Sequence, residues 1–320
     1  MKFLPALLLA FCFAASSAAL ADPPARVESL LRNYPLTKIA AHTYVILGLL
    51  GEPSPQNQGF MNNPGFVITK DSVVVIDPGS NVQTGRMLLK QIRSMTNLPV
   101  SHVFDTHVHG DHWMGNQAFR DAFPKAQFIG HAEMIKKLKA GEAENWLSLM
   151  NNLTQGYSKE TQAVIPAVAA TDGEVFKIGG MSFRIHAPEN AHSHSDIMIE
   201  AVEESVVFTG DNVLNQRIGR MDDATFKGNI AACDVIAKVN AKHYVPGHGP
   251  AGDVGIVKNF RQYLATLYDE TKKLHEAGKA DYEMKPQIVA KLKPYQSWNG
   301  FDQQVGKQIS LAMLEIESDF

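Results

Sequence analysis

Short apolar runs rich in β-branched residues alternate with polar, turn-forming stretches along most of the chain. Residues 43–49, 65–69 and 73–77 are bounded by Gly, Pro or Asn and predict strands. Leu88, Leu89, Ile92 and Met95 then recur at helical spacing, and residues 100–105 return to an extended pattern. A helical stretch over residues 134–150 precedes a second β-rich region at 175–188 and 197–211, with strand-like composition at 181–186 and 206–209. A helix pattern over 226–239 leads into a short strand at 243–245. This repeated β-β-α order predicts an α/β chain of two similar layers packed face to face, with helices outside. From about residue 253 the pattern is mainly helical: Ile256, Phe260, Tyr263, Leu264 and Leu267 form one apolar face, and further helices are expected at 286–292 and 305–316. The run 51–64, GEPSPQNQGFMNNP, is long for a connection between two strands. It reads either as a loop overhanging a site or as an exposed connection.

Residues 1–21 stand apart from this pattern. Lys2, the apolar run after it and the small-residue ending Ala19-Leu20-Ala21 read as a signal peptide, with a mature chain beginning at Asp22. Cys12 follows Phe11, where a lipoprotein signal needs a small residue, so a lipid anchor is not expected. No later stretch approaches the roughly 20 apolar residues of a membrane span. The expected product is exported, soluble and periplasmic, with no stable membrane anchor. Cleavage leaves Cys233 as the only cysteine, which cannot form an internal disulfide. Its setting, Ala231-Ala232-Cys233-Asp234-Val235, reads as helix, and the thiol as a small buried hydrophobe. Loss of Lys2 leaves 29 basic against 33 acidic residues, a net charge of -4, and this balance excludes a nucleic-acid partner. A small-molecule substrate is expected instead.

The strongest chemical signal is residues 106–116, THVHGDHWMGN, at the carboxyl end of a predicted strand, where open α/β sheets place ligands. His107, His109, Asp111 and His112 fit no single helix or strand period, so the segment reads as a loop folded around metal. Burying such groups unpartnered is costly, whereas zinc-like ions favour His and Asp. Three further polar islands lie at predicted strand ends: residues 189–196 (ENAHSHSD), 208–212 (FTGDN) and 244–250 (YVPGHGP). Each sets His or Asp beside Gly, Pro or Ser, where the backbone can turn sharply and aim a ligand at a common centre. His42, His102, His131, His186, His243 and His275 lack such a context and read as structural or solvent-facing.

In order, HxHxDH, AHSHSD, FTGD and PGHGP resemble the metallo-β-lactamase-fold hydrolase superfamily over most of residues 40–250. The motifs are most similar to glyoxalase II-like and lactonase-like members, and to periplasmic members associated with quinoprotein or sulfur-oxidation systems. The resemblance implies a four-layer αββα sandwich over residues 22–252, with a helical C-terminal extension over 253–320. It implies that His107, His109 and His192 bind one metal, that Asp111, His112 and His248 bind a second, and that Asp211 bridges both. Within HSHSD, the family spacing to Asp196 selects His192 rather than His194. Two divalent ions are expected, zinc first, with iron or manganese as alternatives. A hydroxide bridging them would attack an acyl carbon, with Asp111 orienting it or passing on its proton.

Asp211 stands where the lactamase branch has cysteine, so the expected activity is cleavage of an ester-like acyl bond, thioester or lactone. The alternatives are a β-lactamase, a mononuclear iron dioxygenase acting on a sulfur compound, and a noncatalytic metal-dependent module serving a periplasmic redox-system partner. Relative to the common DHxGG form, DHWMGN carries one extra residue before glycine, which places Trp113 either against substrate or in packing. Arg217, Arg220 and His194 are the other candidate substrate contacts. For the two arginines the alternative is a solvated basic loop, and for His194 a role behind the ligands or plain exposure.

Overall fold

The computed structural model describes residues 34–318; the signal peptide expected at residues 1–21 lies outside the described residues. The first seven strands, β1 (Leu36–Lys38), β2 (Thr43–Ile46), β3 (Gly65–Ile68), β4 (Val73–Ile76), β5 (Val100–Phe104), β6 (Gln127–His131) and β7 (Val168–Ala170), form one sheet in sequence order. The next five, β8 (Val175–Ile178), β9 (Met181–His186), β10 (Met198–Ala201), β11 (Val206–Leu214) and β12 (His243–His248), form a second sheet, again with chain neighbours side by side.

Strand β4 shows why the sheets face each other. Its four consecutive β-branched residues are buried on both faces, as a central strand requires. Side chains alternate along it, so Val74 and Ile76 meet Phe183, Ile185, Ile199 and Phe208 of the second sheet. Val73 and Val75 point the other way, into a core shared with α1 (Val82–Met95) and α3 (Asn116–Ala122). Behind the second sheet lie α6 (Phe226–Lys238), α7 (Val254–Glu276), α8 (Asp281–Lys291) and α9 (Phe301–Ser318), with Val207 and Leu214 of β11 reaching into their core. The layers are therefore α, β, β, α, as expected. Among the described residues no helix is long and apolar enough to cross a membrane.

The expected helix over 134–150 is broken. Gly141 takes φ 112°, which L side chains rarely adopt, and a π-helical turn (Leu138–Glu142) separates α4 (Ala132–Lys137) from α5 (Ala143–Leu153). The expected metal loop is also partly helical, because α2 (Gly110–Trp113) starts inside the motif.

Two parallel pairings set the position of the site. β4 beside β5 brings the turn after Ile76 next to the turn after Phe104. β11 beside β12 does the same for Asp211 and His248. The C-terminal helices also reach this edge. Ile218 N–H donates to Asn299 O at 2.8 Å, and Asn299 N–H to Gln216 O at 3.0 Å. Buried Gln308 of α9 donates from Nε2 to Gly219 O at 2.8 Å and accepts from Tyr263 Oη at 2.5 Å. The segment after β11 is thereby held from behind by α7, α9 and the turn before α9.

Candidate metal centre

Two clusters form where these strand ends meet. His107, His109, His192 and Asp211 present ligand atoms within 4.8 Å of one another, and so do Asp111, His112 and His248. Asp211 joins them: its Oδ2 lies 3.6 Å from His192 Nε2 and 3.4 Å from His248 Nε2, and its Oδ1 lies 3.3 Å from His112 Nε2. Asp111 Oδ2 is 3.2 Å from His248 Nε2 and 3.4 Å from His112 Nε2. His192 Nε2 is 3.1 Å from His109 Nδ1. Close approach of β11 and β12 depends on Gly247, because a Cβ there would sit 1.9 Å from Asp211 Oδ1.

Hydrogen bonds on the outer ring nitrogens aim the inner ones. His248 Nδ1 donates to Met61 O at 2.8 Å, which turns Nε2 toward Asp111 and Asp211. His112 Nδ1 meets Asp77 Oδ2 at 2.7 Å, and His109 Nε2 meets Asp223 Oδ2 at 3.0 Å. Thr106 Oγ1 donates to Asp77 Oδ2 at 2.8 Å and so receives the Nδ1–H of His107 at 3.0 Å. As a result, His107 Nε2, His112 Nε2 and Asp211 Oδ1 are buried with no hydrogen-bond partner. Such orphans cost about 1–3 kcal/mol each. An imidazole and carboxylate donor set whose rings are fixed by carboxylates and backbone carbonyls fits divalent metals.

The electrostatics agree with that fit. Burial drives His107 well below its ordinary pKa, with help from His112 and His109, and drives His192 down to about 3, so both rings are neutral. Burial alone would raise Asp111 and Asp211, but His112 and His248 hold both carboxyls well below the usual range. Burial opposes charge on His112 too, yet Asp111, Asp77 and Asp211 raise it well above its ordinary value. Without an ion that ring keeps a proton, which metal binding must displace.

Of the four candidate substrate contacts, the structure moves two away from the site. Trp113 is fully buried with Val108, Met114 and Met134, and its Nε1 donates to Val108 O at 2.8 Å. The expectation that it meets substrate is therefore corrected: from the end of α2 it packs inward against Met134, Leu138 and Met150. His194 is exposed, pairs through Nδ1 with Asn190 Oδ1 and lines a different groove, with His131, Asp172 and Glu189. This corrects its candidacy as a substrate contact. Arg217 and Arg220 do line the pocket over the clusters. The alternative of a solvated basic loop fails for Arg217, which is buried and ion-paired to Glu52 at 3.0 Å.

The sequence reading missed the residues that aim the rings: Asp77, Thr106, Asp223 and the carbonyl of Met61. The 51–64 run does more than connect strands, since Glu52, Pro53 and Met61 line the pocket. Asn63 ties it to the His248 turn by donating to Pro246 O at 2.9 Å and Gly249 O at 2.7 Å. The available signal for Asp77 was its place in an Asp-Pro-Gly turn at the end of a buried strand. Asp77→Asn keeps the shape and tolerates the residue's φ of 49°, but gives up one of the charged acceptors serving His112 and Thr106. The variant is expected to fold and to bind metal about 10–100-fold more weakly, as chelator competition would measure.

Cys233 lies apart from this chemistry, 1% exposed in α6, with burial pushing its thiol up to about 12. Alkylation by iodoacetamide at neutral pH is expected only after unfolding, and rapid labelling of native protein would contradict this burial.

A family model described as the metallo-beta-lactamase superfamily matches residues 58–248. An atrochrysone carboxyl ACP thioesterase of Emericella nidulans is 26% identical over 200 residues, 62% of this chain and 54% of that protein. A protein of Streptococcus pyogenes serotype M6 named probable metallo-hydrolase is 27% identical over 212 residues, 63% of this chain and 85% of that one. The chain thus spans about half the length of the thioesterase. Among solved structures, a metallo-beta-lactamase from Pontibacter korlensis superposes with a TM-score of 0.59 at 21% identity, covering 72% of this chain and 98% of that one. At that identity the likeness speaks for the fold alone.

Proposed function

The chain belongs to the metallo-beta-lactamase superfamily of hydrolases, and from that membership we propose that it cleaves an ester-like acyl bond, a thioester first and a lactone second. The observation that carries this reading is Asp211, whose carboxylate touches ring nitrogens of both clusters at the floor of an open pocket. Two divalent ions, zinc first, would be held by His107, His109 and His192, by Asp111, His112 and His248, and by Asp211 between them. When bound, such ions polarise a carbonyl and bring the pKa of water from 15.7 to about 7.

The chain's own groups supply the rest. Asp111 lines the pocket, is held ionised by His112 and His248, and is placed to take the proton of the attacking water. The water oxygen bonds to the acyl carbon, the bond from that carbon to sulfur or oxygen breaks, and the leaving atom departs with the electron pair and takes up a proton. The products are a carboxylate and a thiol or alcohol. The thioesterase name carried by a relative supports the thioester. We further propose export to the periplasm with cleavage before Asp22, on the strength of the leader sequence.

Metal-quantified protein assayed against thioesters, lactones and β-lactams tests the reading. Turnover of thioesters with two ions per chain is expected. Cleavage of β-lactams alone, or no turnover by fully loaded protein, would overturn it.

A further inference from the structure

One wall of the pocket over the metal centre is a face of α5 formed by Trp146, Leu149, Met150 and Leu153, which follow one another at i, i+3, i+4 and i+7. Its inner end touches the centre, since the Trp146 and His109 rings lie 5.1 Å apart. Its outer end is open, with Leu149 37% and Leu153 40% exposed. The stripe runs about 10 Å along the helix axis, the reach of a medium-length acyl chain. The cleft is open to solvent, so a chain laid along the stripe keeps its far end in water.

The facing wall is polar but, among the described residues, offers no free cation. Arg217 is paired with Glu52 and donates to Leu50 O and Gly51 O, both at 3.1 Å. Arg220 is paired with Asp222 at 2.8 Å, and Asp222 also holds Lys307. Asp223 is engaged by His109. A second carboxylate on the substrate would therefore meet Glu52, Asp222 and Asp223 with both arginines already neutralised.

We propose that the substrate's acyl group is uncharged and apolar, and that it lies along the α5 face with its carbonyl over Asp111 and Asp211 and its leaving group toward solvent. The proposal rests on the hydrolase reading for its chemistry, in which the acyl carbon gains the water oxygen as its bond to sulfur breaks, the sulfur leaving with the electron pair and a proton. It rests on the α5 wall for its specificity. Burying a methylene favours binding by roughly fourfold. With part of the chain left in solvent, kcat/KM is expected to rise about a hundredfold from acetyl to octanoyl among N-acetylcysteamine thioesters. Succinyl thioester, the charged counterpart of butyryl, is expected to be at least about tenfold poorer than butyryl, from unpaired like charges.

The double variant Leu149→Gln, Leu153→Gln changes two exposed positions and should flatten the chain-length series to less than about tenfold, whereas Leu314→Gln, exposed on α9, should leave the series as in the wild type. Calorimetric binding of the product octanoate, expected to be tighter than that of butyrate and weakened by the double variant, reads the same wall without turnover. A flat series in the wild type, or succinyl preferred over butyryl, would overturn the proposal while leaving the hydrolase reading standing. No turnover of any acyl compound, with octanoate still bound along α5, would overturn the hydrolase reading and keep the acyl cleft.

Discussion

Asp211→Ala is expected to fold, to hold at most one metal ion per chain, and to lose acyl hydrolysis by about three orders of magnitude, roughly 4 kcal/mol of barrier. Among the described residues, Asp211 is the one carboxylate in contact with rings of both clusters, at 3.3–3.6 Å from His112, His248 and His192. Removing it takes an anion from beside His112 and His248, where burial opposes the charged ring but carboxylates such as Asp211 favour it, so the apo variant should also be less stable than apo wild type. The sign follows from His112 and His248. Both have pKa values raised by neighbouring carboxylates, so their stabilisation is present below the ordinary histidine pKa and is lost as pH rises through the raised values. The apo variant should consequently show its largest deficit in melting temperature on the acid side of neutrality. Initial rates at matched metal loading, with circular dichroism to check the fold, decide the catalytic half. A folded variant that keeps both ions and the wild-type rate would remove Asp211 from the bridging position.

Much of the scaffold was legible because its signals are local. The all-β-branched run of β4 and the spacing in α1 announce themselves within a few residues. β6 and β7 passed unnoticed because β6 carries Gln127, Gly130 and His131 and β7 has only three residues. Both are strands through pairing with neighbours, at Phe104–Ile129 and Ile129–Val168, and sequence alone cannot show such tertiary support. The site divides the same way. Ligand candidates cluster in short motifs beside Gly, Pro and Ser, so spacing exposes them. Their orienting partners do not, since Asp223 reaches His109 across 114 residues and Met61 reaches His248 across 187. Arg217 illustrates the cost. Its cationic sequence context suggested a substrate anchor, whereas Glu52, 165 residues earlier, already occupies it.

The C-terminal helices bear on the same point. The family match ends at residue 248, yet Gln308 and Asn299 hold the backbone of residues 216–219, and Lys307 holds Asp222. Elements outside the matched region thus brace the wall that carries Arg217, Arg220, Asp222 and Asp223. The polar side of the pocket, residues 217–223, lies within the matched region like the floor, but its backbone and Asp222 are braced from beyond that region. Differences in substrate between this chain and its relatives are accordingly expected to map to that wall and to α5 rather than to the histidines.

Replacing His192 by Ala should weaken metal binding by about a thousandfold, roughly 4 kcal/mol, while replacing His194 by Ala should change it less than about twofold. The two residues share one short motif and differ only in direction. His192 is 2% exposed, its Nε2 faces His109 and Asp211, and its backbone N–H donates to Asn212 Oδ1 at 3.3 Å. Around it Ser193 is turned inward, giving its N–H at 2.6 Å and its hydroxyl at 2.8 Å to buried Asp196. That short loop, with Ile197 N–H bonded to Thr106 O at 2.8 Å, fixes the register against the first motif. His194, one residue past the inward serine, is carried outward to Asn190. Alanine at 192 removes one of three imidazoles from the first cluster, and no neighbouring side chain takes its place. Alanine at 194 removes a surface hydrogen bond. Parallel chelator competitions on the two variants measure the difference directly. Equal losses, or a loss confined to His194→Ala, would show that the motif presents its other histidine to the metal.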